Sequence, residues 1–270
     1  MSKPQTNVPF EEYLAWPHVS QSTLKQGRVS MLHMLHAMNT DVVPTDAMNL
    51  GSALDCAFLE PELLPEKVVL WEGKRRAGKE WEAYKAEHKG KIILTNGHYE
   101  NFQGMLRSLR KHPEMRKWMA APGEVQVSHV TEIQGVKVKG RTDKLTNDPI
   151  IDLKSSGVDL DETRFATQAV KLGYHIQGAV YLRLFNRKRF ILGVVENTAP
   201  YDVVMFELSP ELLAIGDREA MLLLGAWKAC CENNHWPGRN EELATLEVPK
   251  WMQPQEQPIT TGGVLVKLYM

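Results

Sequence analysis

Residues 124–156 read EVQVSHVTEIQGVKVKGRTDKLTNDPIIDLKSS, and no other stretch limits the fold as strongly. Two extended runs flank Gln134-Gly135, which suits a tight turn, and a third run, PIIDLKSS, follows the turn residues TNDP. That pattern dictates a hairpin continued by a third strand. Before Pro122 the apolar spacing is helical. After Ser156, helical segments alternate with two further strands, RFILGVVEN and YDVVMFEL. Helices, then strands, then helices with two more strands predict an α/β (α+β) fold, with a central mixed β-sheet flanked by helices.

The chain has 270 residues, enough for a substantial core. It reads as one domain over 1–270, with a mainly helical part over 1–121, the sheet and its flanking helices over 122–235, and an irregular tail over 236–270. Ser20 and Ser22 are candidate caps for a helix to about Asn39, and Pro44-Thr45 opens a second that stops near Pro61. A strand, KVVLW, precedes a basic loop and helix, EGKRRAGKEWEAYKAEHKGK, and a helix pair from 97 to 119 breaks at Pro113. Helices follow over 161–171, over 173–186 with Tyr174, Gln177 and Tyr181 at helical spacing, and from Ser209 to about Asn234. The tail ends in GGVLVKLYM, apolar enough to dock on this chain or a neighbouring copy.

A net charge of −1 leaves any polyanion-binding surface to a local patch. The cysteines, Cys56, Cys230 and Cys231, make a poor disulfide framework and fit a reducing compartment. The N-terminus lacks the basic and apolar regions of a secretory signal. The longest apolar run, AMLLLGAW, is too short to cross a bilayer. A soluble, cytoplasmic protein without a membrane partner is expected.

Strand alternation puts Asp152 and Lys154 on one face, and the TNDP turn brings Asp143 back toward them. Two carboxylates and a backbone carbonyl suit a hard cation such as Mg²⁺ or Mn²⁺. A lysine beside that ion can orient the attacking water or neutralise charge on a phosphoryl oxygen. The competing reading is a surface hairpin with a solvated Asp152–Lys154 pair. Against it, Asp152 lies in an otherwise apolar run and needs a partner. Lys137, Lys139 and Arg141 also alternate on the Asp143 face, as if that face met an anion.

The order of HVSQSTL, MNLGSALDCAFLEPE, RRAGKEW, GEVQVS, GRTDKL, DLKSS and GYHIQGAVY resembles the PD-(D/E)xK nuclease superfamily, and within it the RecE and lambda-type phage recombination exonucleases. The resemblance spans roughly residues 16–208. It implies a restriction-endonuclease-like core with an N-terminal helical elaboration. It makes Asp143 and Asp152 metal ligands with the Leu153 carbonyl, Lys154 the catalytic lysine, and Gln177 and Tyr181 braces of the site. Asp55 stands where RecE-like members have a histidine ligand and lambda-type members a carboxylate. Glu124 is a further candidate outer ligand. Arg75, Arg76, Lys79 and Ser22 become candidate DNA contacts, as do Arg141 on the strand and His175 on the helix.

The implied activity is Mg²⁺-dependent 5′→3′ digestion of linear duplex DNA to mononucleotides, leaving a 3′ single strand for a single-strand annealing protein. The enzyme would form a homo-oligomeric ring, trimer or tetramer, encoded by a phage or prophage and working in a bacterial host. Three cysteines cannot supply the four that hold an iron–sulfur cluster in Cas4-like relatives. Two alternatives remain at this point: another nuclease of the superfamily, cutting internally or on single strands, and a non-catalytic DNA-binding protein with a vestigial site.

Overall fold

The structure is a computed structural model that describes residues 3–249 and 252. The N-terminal part begins with α1 (Phe10–Ala15), β1 (Val19–Ser20) and α2 (Gln21–Leu24). A 3-10 turn, Lys25–Arg28, leads to α3 (Met31–Met38) and then α4 (Asp46–Leu59). The helix expected from Ser20 to Asn39 is therefore three pieces. Ser20 caps only the first, accepting from the Thr23 N–H at 3.1 Å, and Ser30 caps α3 afresh through the His33 N–H at 3.2 Å. The break falls at Gly27, where an added Cβ would lie 2.9 Å from Met31 and 3.0 Å from Leu223. Tertiary packing fixes that corner.

Next come α5 (Leu64–Lys67), β2 (Val68–Trp71), α6 (Lys79–Glu87), β3 (Ile92–Thr95), α7 (Asn96–Lys111) and α8 (Pro113–Ala120). Strands β2 and β3 form a parallel pair of their own. The sequence reading lacked β3, whose four residues, IILT, are too few to show a period among polar neighbours.

The hairpin is β4 (Gly123–Ile133) and β5 (Val136–Thr146), joined by Gln134 and Gly135 at φ 53° and 79°. Two left-handed residues give the turn that matches strand twist. The chain continues through β6 (Ile150–Ser156), α9 (Glu162–Leu172), α10 (Tyr174–Phe185), β7 (Phe190–Glu196), β8 (Val203–Glu207) and α11 (Pro210–Asn233). The main sheet runs β1-β5-β6-β7-β8, with β4 on β5; β6 and β7 are parallel and β7 and β8 antiparallel. It is the mixed sheet expected.

Alternation along β6 and β7 feeds two cores. Ile150, Leu192 and Val194 pack with Ile176, Val180 and Leu224 of α10 and α11 on one face. Leu153 and Val195 pack with Leu54, Met105 and Met115 of α4, α7 and α8 on the other. Each buried side chain of this size contributes about 1.5–3 kcal/mol, so both faces are firmly covered.

One irregularity in this sheet positions the site. On the edge away from β4, β5 pairs with β1 at Val138 and Lys139 and with β6 only at Lys144 and Leu145. Gly140–Asp143 lie between, where β5 and β6 splay apart. Two ladder groups released there find side chains instead. The Arg141 carbonyl accepts from the Tyr181 hydroxyl at 2.9 Å, and the Leu153 N–H donates to Asp143 Oδ2 at 2.7 Å.

Candidate active site

Asp143 from β5, Asp152 and Lys154 from β6, Asp55 from α4 and Gln177 from α10 converge on this gap. Asp152 is 2% exposed. Its Oδ2 accepts from the Lys154 ammonium, and its Oδ1 accepts from Gln177 Nε2 at 2.8 Å. Lys154 also lies 5.3 Å from the centre of the Tyr174 ring, a cation–π contact. Tyr174 and Gln177 stand three residues apart on one face of α10.

The electrostatics are those of crowded carboxylates. Burial raises the Asp143 pKa to about 7, helped by Asp152 and opposed by Lys154 and the Leu153 N–H. Burial likewise pushes Asp55 well up, and the charges of Asp143 and Asp152 add to it. Burial pulls Lys154 down, but Asp152 and Asp143 outweigh it, so its ammonium holds its proton more firmly than usual. A second cation, Lys25, comes close. Its Nζ donates to the Leu172 carbonyl at 2.9 Å, and burial followed by Lys154 lowers its pKa to about 8.

Several expected roles are corrected by position. Arg141 is turned into the fold, donating to Val8 O at 2.7 Å, Gln126 Oε1 at 2.7 Å and Ser128 Oγ at 3.2 Å. Lys139 is buried, with its ammonium on the carbonyls of Tyr13, Leu14 and Trp16 at the end of α1. Lys139 and Arg141 thus hold down the N-terminal segment and do not face an external anion, while Lys137 is exposed. His175 is 1% exposed and meets Glu219, which removes it from any DNA surface. Arg76 forms a two-pronged pair with Asp46 at 2.6 and 2.7 Å. Arg75 is exposed on the same loop and Lys79 at the start of α6. Ser22 is exposed on α2, bonded to Ser20 Oγ at 2.8 Å. Glu124 is exposed near the start of β4, opposite Leu145.

The donor set fits a hard divalent cation. Burial and mutual repulsion drive Asp55 and Asp143 toward the neutral acid, and a dication beside them reverses that preference. Among the described residues no three His, Cys, Asp or Glu side chains stand together in ligating geometry. Lys154 and Gln177 engage both oxygens of Asp152. Sequence reasoning missed Lys25, whose nearness to Lys154 depends on how α2 meets the α9–α10 junction.

A sheet opened at a carboxylate–carboxylate–lysine gap, with helices on both faces, defines a PD-(D/E)xK-type domain. The profile of the PDDEXK-like domain of unknown function (DUF3799) matches residues 20–248, and the chain belongs to that family. A candidate exonuclease from Eubacterium rectale is similar in structure, with a TM-score of 0.63 at 17% identity, covering 91% of this chain and 96% of that one. A phage-related exonuclease from Haemophilus somnus 129PT gives 0.35 at 14% identity over 61% of this chain and 91% of that one. LHK-Exo, solved with dAMP, gives 0.37 at 16% identity over 84% and 96%. The latter two scores are too low to argue a shared fold. No curated protein matches the chain. Among the described residues no helix is long and apolar enough to cross a membrane.

Proposed function

We propose that this chain is a divalent-metal-dependent exodeoxyribonuclease. It hydrolyses linear duplex DNA from an end, 5′ to 3′, releasing mononucleotides and leaving a 3′ single strand. The observation that carries this reading is the meeting of Asp55, Asp143, Asp152 and Lys154 where β5 and β6 part, with burial and mutual repulsion raising the pKa of Asp55 and Asp143.

Asp143 and Asp152, with Asp55 and the Leu153 carbonyl, would hold Mg²⁺ or Mn²⁺. When bound, such an ion acts as a Lewis acid that acidifies water and polarises a phosphoryl oxygen. Gln177 donates to Asp152 and fixes its orientation. Lys154 turns from Asp152 toward the phosphate, where its ammonium orients the attacking water and offsets charge growing on the oxygens. Tyr174 limits how far that ammonium can wander. The exposed Arg75 and Lys79 hold the DNA backbone in line.

In this reading the chain closes into a homo-oligomeric ring around DNA and delivers its 3′ strand to a single-strand annealing protein. Both follow from the likeness to the phage recombination exonucleases. The test compares linear plasmid with the same plasmid as a covalently closed circle, in Mg²⁺. Linear DNA should disappear and the circle persist. Cutting of the circle would make the protein an endonuclease.

A further inference from the structure

The nuclease reading accounts for one face of α10 and leaves the other unexplained. Tyr174 and Gln177 face the carboxylates. His175, two residues from Gln177, points to the opposite side, where it is 1% exposed. Its Nε2 meets Glu219 Oε2 at 3.0 Å, and the carboxylate can only accept, so the ring donates. Its Nδ1 is buried with no hydrogen-bond partner among the described residues. Glu219 is thus the one polar anchor of that ring among the described residues.

Glu219 is tied in turn to the corner beside the site. Its Oε1 pairs with Arg28 Nε at 2.8 Å, and Arg28 Nη1 donates to the Val170 and Lys171 carbonyls at 3.1 and 3.2 Å. Lys25 holds the next carbonyl, Leu172. Between them Gly173 turns the chain at φ 72°, and an added Cβ would lie 2.4 Å from Lys25. On α11, a Cβ at Gly216 would lie 2.2 Å from the His175 carbonyl, so the two helices meet backbone to backbone. The last turn of α9 and the first turn of α10 are gripped as one unit.

We infer that Glu219 and His175 are positioning residues: they set the first turn of α10 from behind, so that Gln177 reaches Asp152 and Tyr174 covers Lys154. The inference rests on the nuclease reading for its catalytic consequence. Truncating Glu219 leaves both nitrogens of a buried imidazole unpaired, and the first turn relieves that cost by moving.

The experiment measures single-turnover hydrolysis of end-labelled linear duplex in Mg²⁺ by wild type, E219A, E219Q, Q177A and E219A/Q177A. E219A should slow the chemical step about tenfold or more while the DNA concentration for half-maximal rate holds. E219Q, which still offers an oxygen to His175, should recover most of the rate. Because Glu219 acts through the turn that carries both Gln177 and Tyr174, the double variant should be slowed by less than the product of the two single effects. An unchanged rate in E219A, or a double variant slowed by the product of the two single effects, would overturn the inference. If E219A does not fold, H175A, which removes the other partner of the same hydrogen bond, takes its place in the cycle with the same expectations for the single and double variants. Hydrolysis by wild type is read first, and its absence counts against the nuclease reading alone. In that event the Gln177 side-chain amide resonance decides: a shift in E219A supports the positioning role, and an unmoved resonance ends it.

Discussion

Asp152 is the residue on which the site's charges balance. Its two oxygens meet an ammonium and an amide while the side chain is sealed from water. Removing Lys154 leaves that carboxylate with only Gln177 and removes the cation placed to meet a phosphate. Lys154→Ala should cut the single-turnover rate by about a hundredfold or more and leave DNA and Mg²⁺ binding in place. A rate within a factor of two of wild type would remove Lys154 from the chemistry.

Lys25 gives a separate handle through stability. Its pKa falls from 10.5 to about 8, through burial first and then through Lys154 and Arg28, with Asp152 opposing. Between those values the unfolded chain binds more protons than the folded one, so stability rises with pH across that window. Below about pH 8 both states are protonated and the full penalty stands. Lys25→Met removes the penalty, so its Tm relative to wild type should be highest below pH 8 and decline toward pH 10.5. A constant difference over that range would show that the Lys25 ammonium is not strained by its surroundings.

Among elements, the gap in β5 decides the most, and it also divides what could be read in advance from what could not. Alternation in PIIDLKSS and the turn at TNDP sufficed to bring Asp143, Asp152 and Lys154 together. Helical spacing sufficed to put Gln177 and Tyr181 on one side of α10. Local rules determine those placements. Lys139 meets Tyr13 126 residues away, Arg141 meets Val8 133 away, His175 meets Glu219 44 away and Arg76 meets Asp46 30 away. A charged side chain in a strand looks the same whether it meets an anion or a distant helix end.

Tyr181 shows what the gap needs from its neighbours. Its hydroxyl supplies the hydrogen bond that a β-strand would have given the Arg141 carbonyl. Tyr181→Phe should cost about 1–2 kcal/mol in chemical denaturation. No loss of stability would mean that the carbonyl finds another donor and that Tyr181 is not the brace.

At the scale of the molecule, a sheet covered on both faces holds its chemistry at one break in its ladder. Three separate parts of the chain meet at the break: α4, the consecutive strands β5 and β6, and α10. Net charge near zero leaves the proposed grip on DNA to local cations, for which Arg75 and Lys79 are exposed. The central claim is that these parts hold a divalent ion for phosphodiester cleavage at a DNA end. Its most direct test follows a linear duplex labelled at the 5′ end or at the 3′ end, digested in Mg²⁺ or in chelator, by wild type and by Asp143→Ala. Wild type in Mg²⁺ should release the 5′ label first, as a mononucleotide, while chelator and Asp143→Ala each reduce release to background. Release that persists in chelator, or in Asp143→Ala, would contradict the account.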